Sequence, residues 1–183
     1  MEVPSGKKFK KRDNSSASIY TKCLIDRPVT LSINEIGRNL KGTIETKIKG
    51  AIEGKCLSEG YIKEDSSIIM KYSSGVVNGD QIRFDVVIEC DVCFPVEDMV
   101  INCIAKNITK AGIRAESSSE IPSPIIVFIA RDHHYNSQQF AKISEGDQFN
   151  VRVIGQRFEL NDKYVSVIAE LVNDNENNIK KNR

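Results

Sequence analysis

The chain has 183 residues, of which 40% are hydrophobic and 28% are charged, and its formal net charge is +1. This composition is typical of an ordinary soluble globular protein with one large or two small domains. No apolar run approaches the roughly 20 residues of a membrane-spanning helix, and the N-terminal lysines are not followed by the apolar segment of a secretory signal.

The two ends of the chain differ in charge from its centre. Residues 1–18 contain five basic and two acidic side chains and are predicted to be a disordered tail. The basic residues of this tail are a localisation signal, a phosphate-binding arm or a solvated surface, and they are Lys7, Lys8, Lys10, Lys11 and Arg12. The Asn-rich residues 173–183 are predicted to be a flexible tail. Residues 19–94 and 95–172 have net charges of −1 and −2, so any nucleic-acid contact must be local and salt-sensitive.

The first predicted elements are an extended segment and a helix. Tyr20 to Ile33 has strand character, with an interruption at Arg27-Pro28 because proline has no amide hydrogen. Asn34 is a suitable N-cap for the helix that follows. An apolar stripe recurs at every fourth position of this helix, made of Ile36, Leu40, Ile44, Ile48 and Ile52. We expect the stripe to pack on a sheet.

Several strands follow the helix, and the longest of them ends the first domain. Residues 60–62 and 67–71 have strand character, and Asn78-Gly79 is typical of a tight hairpin turn. Gln81 to Cys93 then alternates between apolar and polar residues, as a half-buried strand does. Phe94-Pro95 marks a boundary, because proline cannot pair inside a sheet. The sequence therefore predicts two domains, residues 19–94 and 95–172, joined without a flexible linker.

The second domain contains short strands and no long helix. The predicted strands are Met99–Ala105, Gly112–Ser117, Ile125–Ala130, Phe149–Gly155 and Tyr164–Leu171. A short helical or irregular insertion, Asn136 to Ile143, separates the third strand from the fourth. Five strands in this order are typical of an OB-fold barrel. The predicted fold class is α+β, with an antiparallel sheet and one main helix followed directly by a five-stranded OB-fold barrel.

The five cysteines are scattered, which argues against a disulfide framework and favours a reducing compartment. Cys90 and Cys93 form a C-x-x-C pair, but these two positions face opposite sides of a strand and suit metal chelation poorly. We interpret the cysteines as core thiols. A zinc site completed by Cys23, Cys56 or Cys103, or a redox pair, is the alternative.

No catalytic pattern is present in the sequence. Asp132-His133-His134 is the one histidine cluster, and two adjacent histidines without further ligands do not make a zinc site. There is no glycine-rich phosphate loop between a strand and a helix, and no nucleophile elbow. We expect a protein that is not an enzyme by itself and that needs no metal or cofactor, with this cluster serving as loop surface or as a contact to RNA or a partner.

An OB barrel binds single strands through a charged groove and aromatic stacking platforms. Suitable side chains occur at the first barrel turn, on the third strand and at the last hairpin. The predicted RNA-binding residues are Lys106, Lys110, Arg114, Phe128, Arg131, Arg152, Arg157, Lys163 and Tyr164. The chain has no tryptophan and no closely spaced pair of exposed aromatics, so we expect modest, sequence-tolerant affinity for single-stranded RNA.

Two segments of the first domain and the barrel strands resemble a known family. Residues 52–56 (Ile-Glu-Gly-Lys-Cys), residues 60–62 (Gly-Tyr-Ile) and the long strand ending in Phe94-Pro95 are similar to the stalk subunit of multisubunit RNA polymerases. This is the seventh-subunit family of eukaryotic RNA polymerase II, shared with archaea and some large DNA viruses. Residues 126–129, 151–155 and 166–169 fall where the family has its later barrel strands. The family usually has a glycine shortly after the proline, whereas Val96-Glu97-Asp98 follows Pro95 here.

The resemblance covers about residues 20–172 and implies a non-catalytic stalk subunit. In the family, a tip domain docks on the polymerase core near its clamp, an OB domain faces nascent RNA, and a fourth-subunit-like partner commonly binds the pair. Residues implied in docking are Gly54, Gly60, Tyr61, Val76 and Val77. The expected location is intracellular, in the nucleus, or in host cytoplasm and virion for a large DNA virus. The alternatives are a free-standing OB-fold RNA-binding or translation-factor-like protein, and the stalk of another nuclear polymerase.

Overall fold

The chain forms two sheets in a computed structural model that describes residues 18–135 and 137–172. The N-terminal sheet consists of β1 (Tyr20–Ser32), β2 (Cys56–Leu57), β3 (Gly60–Ile62), β4 (Ile68–Tyr72), β5 (Val76–Asn78) and β6 (Gln81–Cys93). The second sheet is a closed barrel of β7 (Val100–Ile108), β8 (Gly112–Ser117), β9 (Ile125–Ala130), β10 (Gln148–Arg157) and β11 (Val165–Leu171). The helices are α1 (Leu40–Ile52) and α2 (Gln138–Lys142), with 3-10 turns at Ile33–Glu35 and Arg131–His133. An α+β chain with a five-stranded barrel is thereby confirmed, while the predicted tails lie outside the described residues, apart from Ser18.

Strand β6 is the centre of the N-terminal sheet. It pairs with β1 along its whole length on one edge, and with β3, β4 and β5 in succession on the other edge, always antiparallel. Its alternation places Phe84, Val86 and Ile88 on one buried face. Helix α1 covers this face with three buried isoleucines of the predicted stripe, which are Ile44, Ile48 and Ile52. The stripe therefore packs on the sheet as predicted.

Two local predictions in this region are wrong. Pro28 does not interrupt β1, which continues through it opposite Asp85. Among the described strands β1 pairs with β6 alone, and an edge strand tolerates proline because half of its backbone groups need no sheet partner. The helix begins at Leu40 with Asn39 as its N-cap, because the Asn39 side chain accepts a hydrogen bond from Gly42 N at 3.2 Å. The Glu35 carboxylate instead accepts one from Ser32 N at 2.7 Å, which closes a separate 3-10 turn.

The barrel has the strand order β7-β8-β9-β11-β10 and closes where β10 pairs with β7. Neighbouring strands are antiparallel except β9 and β11, which run parallel. The observed β7 and β10 are longer than the predicted strands. Register shifts between Ala105 and Asn107 and between Val153 and Gly155 bend these strands, so that each continues around the barrel instead of ending.

The hydrophobic core of the barrel extends to the N-terminal sheet, and backbone hydrogen bonds also join the two sheets. Cys56 N donates to Asp162 O at 2.7 Å, and Asn161 N donates to Cys56 O at 2.8 Å, which joins β2 to the β10–β11 loop. The rings of Phe94 and Phe158 meet edge to face, with centroids 6.0 Å apart. Four residues of the N-terminal sheet region pack within the barrel's core cluster, and they are Ile19, Cys56, Tyr61 and Cys93. Apolar packing and paired backbone groups thus join the two sheets.

A half-buried polar contact adds to this junction. Glu120, in the β8–β9 loop, accepts a hydrogen bond from the Tyr20 hydroxyl at 2.9 Å and forms an ion pair with Lys63. The Lys63 ammonium also lies 4.8 Å from the centre of the Tyr20 ring. Burial, followed by the hydrogen bond to Glu120, raises the pKa of Tyr20, so this hydroxyl remains a donor. The contact joins β1 and the β3–β4 connection to the barrel.

The connection after Pro95 contains a residue in the left-handed region of backbone conformation. Asp98 has φ of +65°, and its amide donates to Val153 O at 2.9 Å. Aspartate tolerates the left-handed region better than most residues with a Cβ atom. The turn is therefore formed by the acidic residue itself.

Candidate nucleic-acid interface and docking surface

Three side chains in register form a row across the outside of the barrel. Arg114 on β8 pairs with Phe128 on β9, and Phe128 pairs with Ile168 on β11. The residues that flank them in sequence point inward and are buried, whereas Phe128 is 39% exposed and Ile168 is 52% exposed. We call Arg114, Phe128 and Ile168 the outer row. Because Phe128 points outward, its ring is available as a platform for a base.

Gly112 explains how the Phe128 ring lies so near the neighbouring strand. A Cβ atom at Gly112 would come within 3.0 Å of Phe128 Cζ and 2.2 Å of Ile129 O. The glycine therefore leaves the space that the ring and the β9 backbone occupy. Ile168 was missed from the sequence, because residues 167–169 (Val-Ile-Ala) are all apolar and composition does not show which of them faces outward.

Lysine side chains lie next to one end of the outer row. Lys106 precedes Asn107, which pairs with Arg114, and its ammonium is 3.6 Å from a Glu116 carboxylate oxygen. Lys110 is exposed in the β7–β8 turn. No acidic side chain among the described residues forms an ion pair with Lys110 or Arg114. These two cations are thus the ones best placed to attract a phosphate.

Arg131 holds the β7–β8 turn in place. Its Nε donates to Lys110 O at 2.9 Å and a terminal nitrogen donates to Thr109 O at 3.1 Å. The guanidinium carbon lies 5.2 Å from the centre of the Phe140 ring. With its donors on two loop carbonyls, Arg131 positions Lys110 through the backbone of this turn.

His134 has a structural contact on the same corner of the barrel. Its Nδ1 lies 2.9 Å from Ala130 O, and its Nε2 accepts a hydrogen bond from Leu171 N at 3.0 Å. The imidazole is also stacked on Phe140, with ring centroids 5.3 Å apart. His134 therefore connects the ends of β9 and β11. Among the described residues, no group of three or more His, Cys, Asp or Glu side chains is arranged to hold a metal ion.

The predicted residues of the last hairpin lie away from the outer row or next to carboxylates. Arg152 pairs with Glu170 at 3.3 Å, and Arg157 pairs with Glu159 at 3.0 Å. Lys163 and Tyr164 are exposed in the β10–β11 loop. This loop also contacts Cys56 of the N-terminal sheet, so part of it is covered by the junction. The structure thus brings together Lys106, Lys110, Arg114, Phe128 and Arg131. Of the other four predicted residues, two are ion-paired with carboxylates and two lie in the β10–β11 loop.

The five predicted docking residues fall into two environments. Val76 and Val77 are 64% and 67% exposed on the short strand β5. Ile33 is 51% exposed and lies at the same end of the sheet, because its amide donates to Asp80 O in the β5–β6 turn. We call Ile33, Val76 and Val77 the β5 surface. Val76 and Val77 are adjacent on the strand and point to opposite faces, so this end of the sheet exposes aliphatic side chains on both sides, as a protein contact can.

Gly60 and Tyr61 lie in the junction instead of on the outer surface. Tyr61 is buried, and a Cβ atom at Gly60 would come within 2.6 Å of Cys93 O. Gly60 has φ of +126°, a conformation that residues other than glycine rarely adopt. Gly54 also has positive φ, at +70°, next to the Glu64 side chain. These positions allow the β2–β3 hairpin to approach β6 closely.

The two cysteines of the C-x-x-C pair belong to different cores. Cys90 packs in the core between the N-terminal sheet and α1, whereas Cys93 packs in the core shared with the barrel. Burial raises the pKa of Cys56 and Cys90 to about 11 and that of Cys93 and Cys103 to about 12. At pH 8 these four thiols are therefore almost entirely protonated and weakly nucleophilic.

We expect Cys23, the half-buried cysteine, to be the one thiol that reacts quickly with a disulfide reagent in the folded protein. A titration with such a reagent at pH 8 should give one fast thiol, and all five after denaturation in urea. The Cys23→Ser variant should lose the fast phase. A fast phase that persists in this variant would show that a second thiol is accessible.

The amino-acid sequence of the chain is similar to that of a viral protein. None of the protein-family profiles compared with the sequence matches it. The described residues contain no helix that is both long and apolar enough to cross a membrane. The chain is 24% identical over 172 residues to a protein of Acanthamoeba polyphaga mimivirus described as "Putative DNA-directed RNA polymerase subunit". The aligned region covers 85% of this chain and 83% of the mimivirus protein, so it includes parts of both the N-terminal sheet and the barrel.

Proposed function

We propose that this chain is a non-catalytic stalk subunit of a DNA-directed RNA polymerase. The similarity to the mimivirus protein across 85% of the chain is the observation that carries this proposal. The resemblance of residues 52–62 and of the Phe94-Pro95 boundary to the seventh-subunit family supports the stalk position. In this assignment the N-terminal sheet is the tip domain that docks near the clamp, and the barrel contacts nascent single-stranded RNA. The proposed location is intracellular, in the nucleus, or in host cytoplasm and virion for a viral enzyme.

The β5 surface supports docking through the tip domain. Its three side chains are aliphatic and at least half exposed, and they project from the end of the sheet farthest along β6 from the barrel junction. Fully burying one such side chain contributes about 1.5–3 kcal/mol. A core subunit with an apolar recess would therefore gain affinity from this contact, while the barrel stays clear of it.

The junction supports a role in positioning the barrel. Cys56 bonds to the β10–β11 loop through its backbone, and Glu120 contacts both Tyr20 and Lys63. A barrel held in one orientation near emerging RNA meets it at high effective concentration. Weak contacts between RNA and the outer row would then suffice to bind the emerging strand.

Exposed apolar residues near the junction fit a fourth-subunit-like partner. Phe94 is 45% exposed, Val96 is 54% exposed and Leu160 is 68% exposed. Carboxylates flank them in the sequence at Glu97 and Glu159. An apolar surface with acidic neighbours favours a protein partner over RNA, because those carboxylates repel phosphates.

Affinity purification of the tagged chain from the cells that produce it tests the proposal. We expect polymerase core subunits to be recovered with the wild-type chain. The double variant Val76→Glu/Val77→Glu should lose most of that recovery, because two charges would be buried at the contact. Ile121→Glu is a matched control, since Ile121 is 97% exposed in the barrel's β8–β9 loop.

Recovery of the wild-type chain without any polymerase core subunit would contradict the stalk assignment. Tight RNA binding by the isolated monomer in that case would favour the free-standing OB-fold protein. Equal losses in the two variants would indicate that the β5 surface has no special role in docking.

A further inference from the structure

Three polar side chains on the outside of the barrel form a hydrogen-bonded chain. Ser118 Oγ donates to Asn102 Oδ1 at 2.6 Å, and Asn102 Nδ2 donates to Asn150 Oδ1 at 3.0 Å. Asn102 and Asn150 are direct register partners on β7 and β10. We call Ser118, Asn102 and Asn150 the amide relay. Hydrogen bonds that follow one another in this way polarise each other and strengthen the donor at the end.

The relay ends in donors that face solvent. Asn150 is exposed, and its oxygen accepts from Asn102, so its amide orientation is determined. No described residue accepts a hydrogen bond from the Asn150 Nδ2 group. Two N–H donors are therefore held in a preorganised direction without a partner in the described part of the chain.

Two recesses meet at the relay, and both are lined by Asn102 and Asn150. One has a volume of about 430 Å³ and extends towards Tyr20 and Ser119. The other has a volume of about 560 Å³ and extends towards Phe149 and Lys142. Each volume lies in the range of small-ligand sites, about 300–1,000 Å³. The relay thus lies in the middle of a groove that is wide enough for a nucleobase.

The groove and the candidate RNA surface both include residues of β7. Asn102 and Lys106 are four residues apart on this strand, and Lys106 lies at the register shift between Ala105 and Asn107. At 3.3–3.4 Å per residue they are about 13 Å from each other. A single strand that passes Lys106 can therefore reach the relay without leaving the barrel.

The lining of the groove suits a base better than a phosphate. It contains hydroxyl and amide side chains. Its carboxylates are Glu120, which is paired with Lys63, and Asp147, which accepts a hydrogen bond from Ser144 N. Asparagine reads adenine by using its donor and its oxygen together. Here the Asn150 oxygen already accepts from Asn102, which weakens it as an acceptor for a base. Its free donors fit best a base edge with carbonyl oxygens, as in uracil, whereas adenine presents a ring-nitrogen acceptor beside a donor amino group.

We propose that the amide relay is a base-reading site for single-stranded RNA that favours uracil over adenine. This inference rests on the RNA contact in the proposed function and adds a base preference to it. It differs from the sequence-tolerant binding expected from the sequence alone. The basic residues near the outer row supply attraction to phosphates, and the relay supplies discrimination between bases.

Fluorescence anisotropy of the full chain at low salt tests the relay, with homouridine and homoadenosine strands of about 12 nucleotides as probes. We expect Asn150→Asp to lower the ratio of uridine to adenosine affinity by about fivefold, the worth of one hydrogen bond. The substitution keeps an oxygen for Asn102 Nδ2 and replaces the free donors with an acceptor. Asn107→Asp is the matched control on β7, because it adds the same charge outside the relay.

The control should reduce affinity for both probes equally and leave the ratio unchanged. A ratio that is also unchanged in Asn150→Asp overturns the base-reading site, and leaves the relay as a candidate contact for carbonyl groups of a protein. Absence of binding to either probe overturns the RNA contact as well, whereas recovery of polymerase subunits would still test the stalk assignment separately.

Discussion

Gly60→Ala is expected to lower the free energy of unfolding by about 3 kcal/mol. The residue has φ of +126°, which is strained for any residue with a Cβ atom. The new methyl group would also lie 2.6 Å from Cys93 O and 3.1 Å from Val92 Cγ1. The first of these atoms belongs to the backbone of β6 and cannot rotate away. The substitution would destabilise both sheets, since Cys93 packs in the core that they share.

Gly50→Ala is the matched control for this substitution. Gly50 lies inside α1, and a Cβ atom there would meet nothing within 4 Å. Because alanine favours the helix over glycine, we expect this variant to be more stable by about 0.5–1 kcal/mol. Urea denaturation followed by circular dichroism measures both changes. A Gly60→Ala variant as stable as the wild type would show that the β2–β3 hairpin can move away from β6.

Phe128→Ala is expected to weaken the binding of single-stranded RNA about tenfold. Stacking of a base on an aromatic ring contributes about 1–3 kcal/mol, and Phe128 is the aromatic member of the outer row. Since the ring is 39% exposed, its removal should cost the barrel less stability than removal of a fully buried phenylalanine. Filter-binding titrations at low salt measure the affinity. Tyr135→Ala is the control, because Tyr135 is 80% exposed and lies outside the row.

The salt dependence of the same titrations separates stacking from phosphate contact. Arg114→Gln should reduce the slope of log affinity against log salt by about 0.7, the value for one phosphate contact on a single strand. Phe128→Ala should leave that slope unchanged. Equal affinities of the Phe128→Ala and Tyr135→Ala variants would mean that RNA does not stack on the outer row.

Barrel strands could be predicted because their signal is local. Gly112–Ser117 and Ile125–Ala130 were predicted with the bounds that the structure shows. Strand alternation has a period of two residues, so a few neighbouring positions suffice to identify it. The start of α1 was misplaced because Asn34 and Asn39 are both suitable N-caps. Whether Asn34 or Asn39 caps the helix depends on Glu35, whose side chain turns back to Ser32.

The candidate site could be predicted only in part, because charge pairing joins distant segments. Arg152 and Glu170 are 18 residues apart in the chain, and Asn102 and Asn150 are 48 apart. No local pattern shows that Arg152 lies next to a carboxylate or that Asn102 orients Asn150. The exposed outer row likewise depends on the register of β8, β9 and β11.

The sequence by itself determined the barrel strands and the apolar face of α1, because each follows from the order of neighbouring residues. Only the tertiary structure decided that Gly60 and Tyr61 lie in the junction and that Arg131 holds the β7–β8 turn. It also decided that, among the described residues, Lys110 and Arg114 form no ion pair with a carboxylate. Those outcomes depend on the register between strands that are far apart in the chain. Register decides which side chains meet, and it therefore decides which of them remain available to RNA or to a partner.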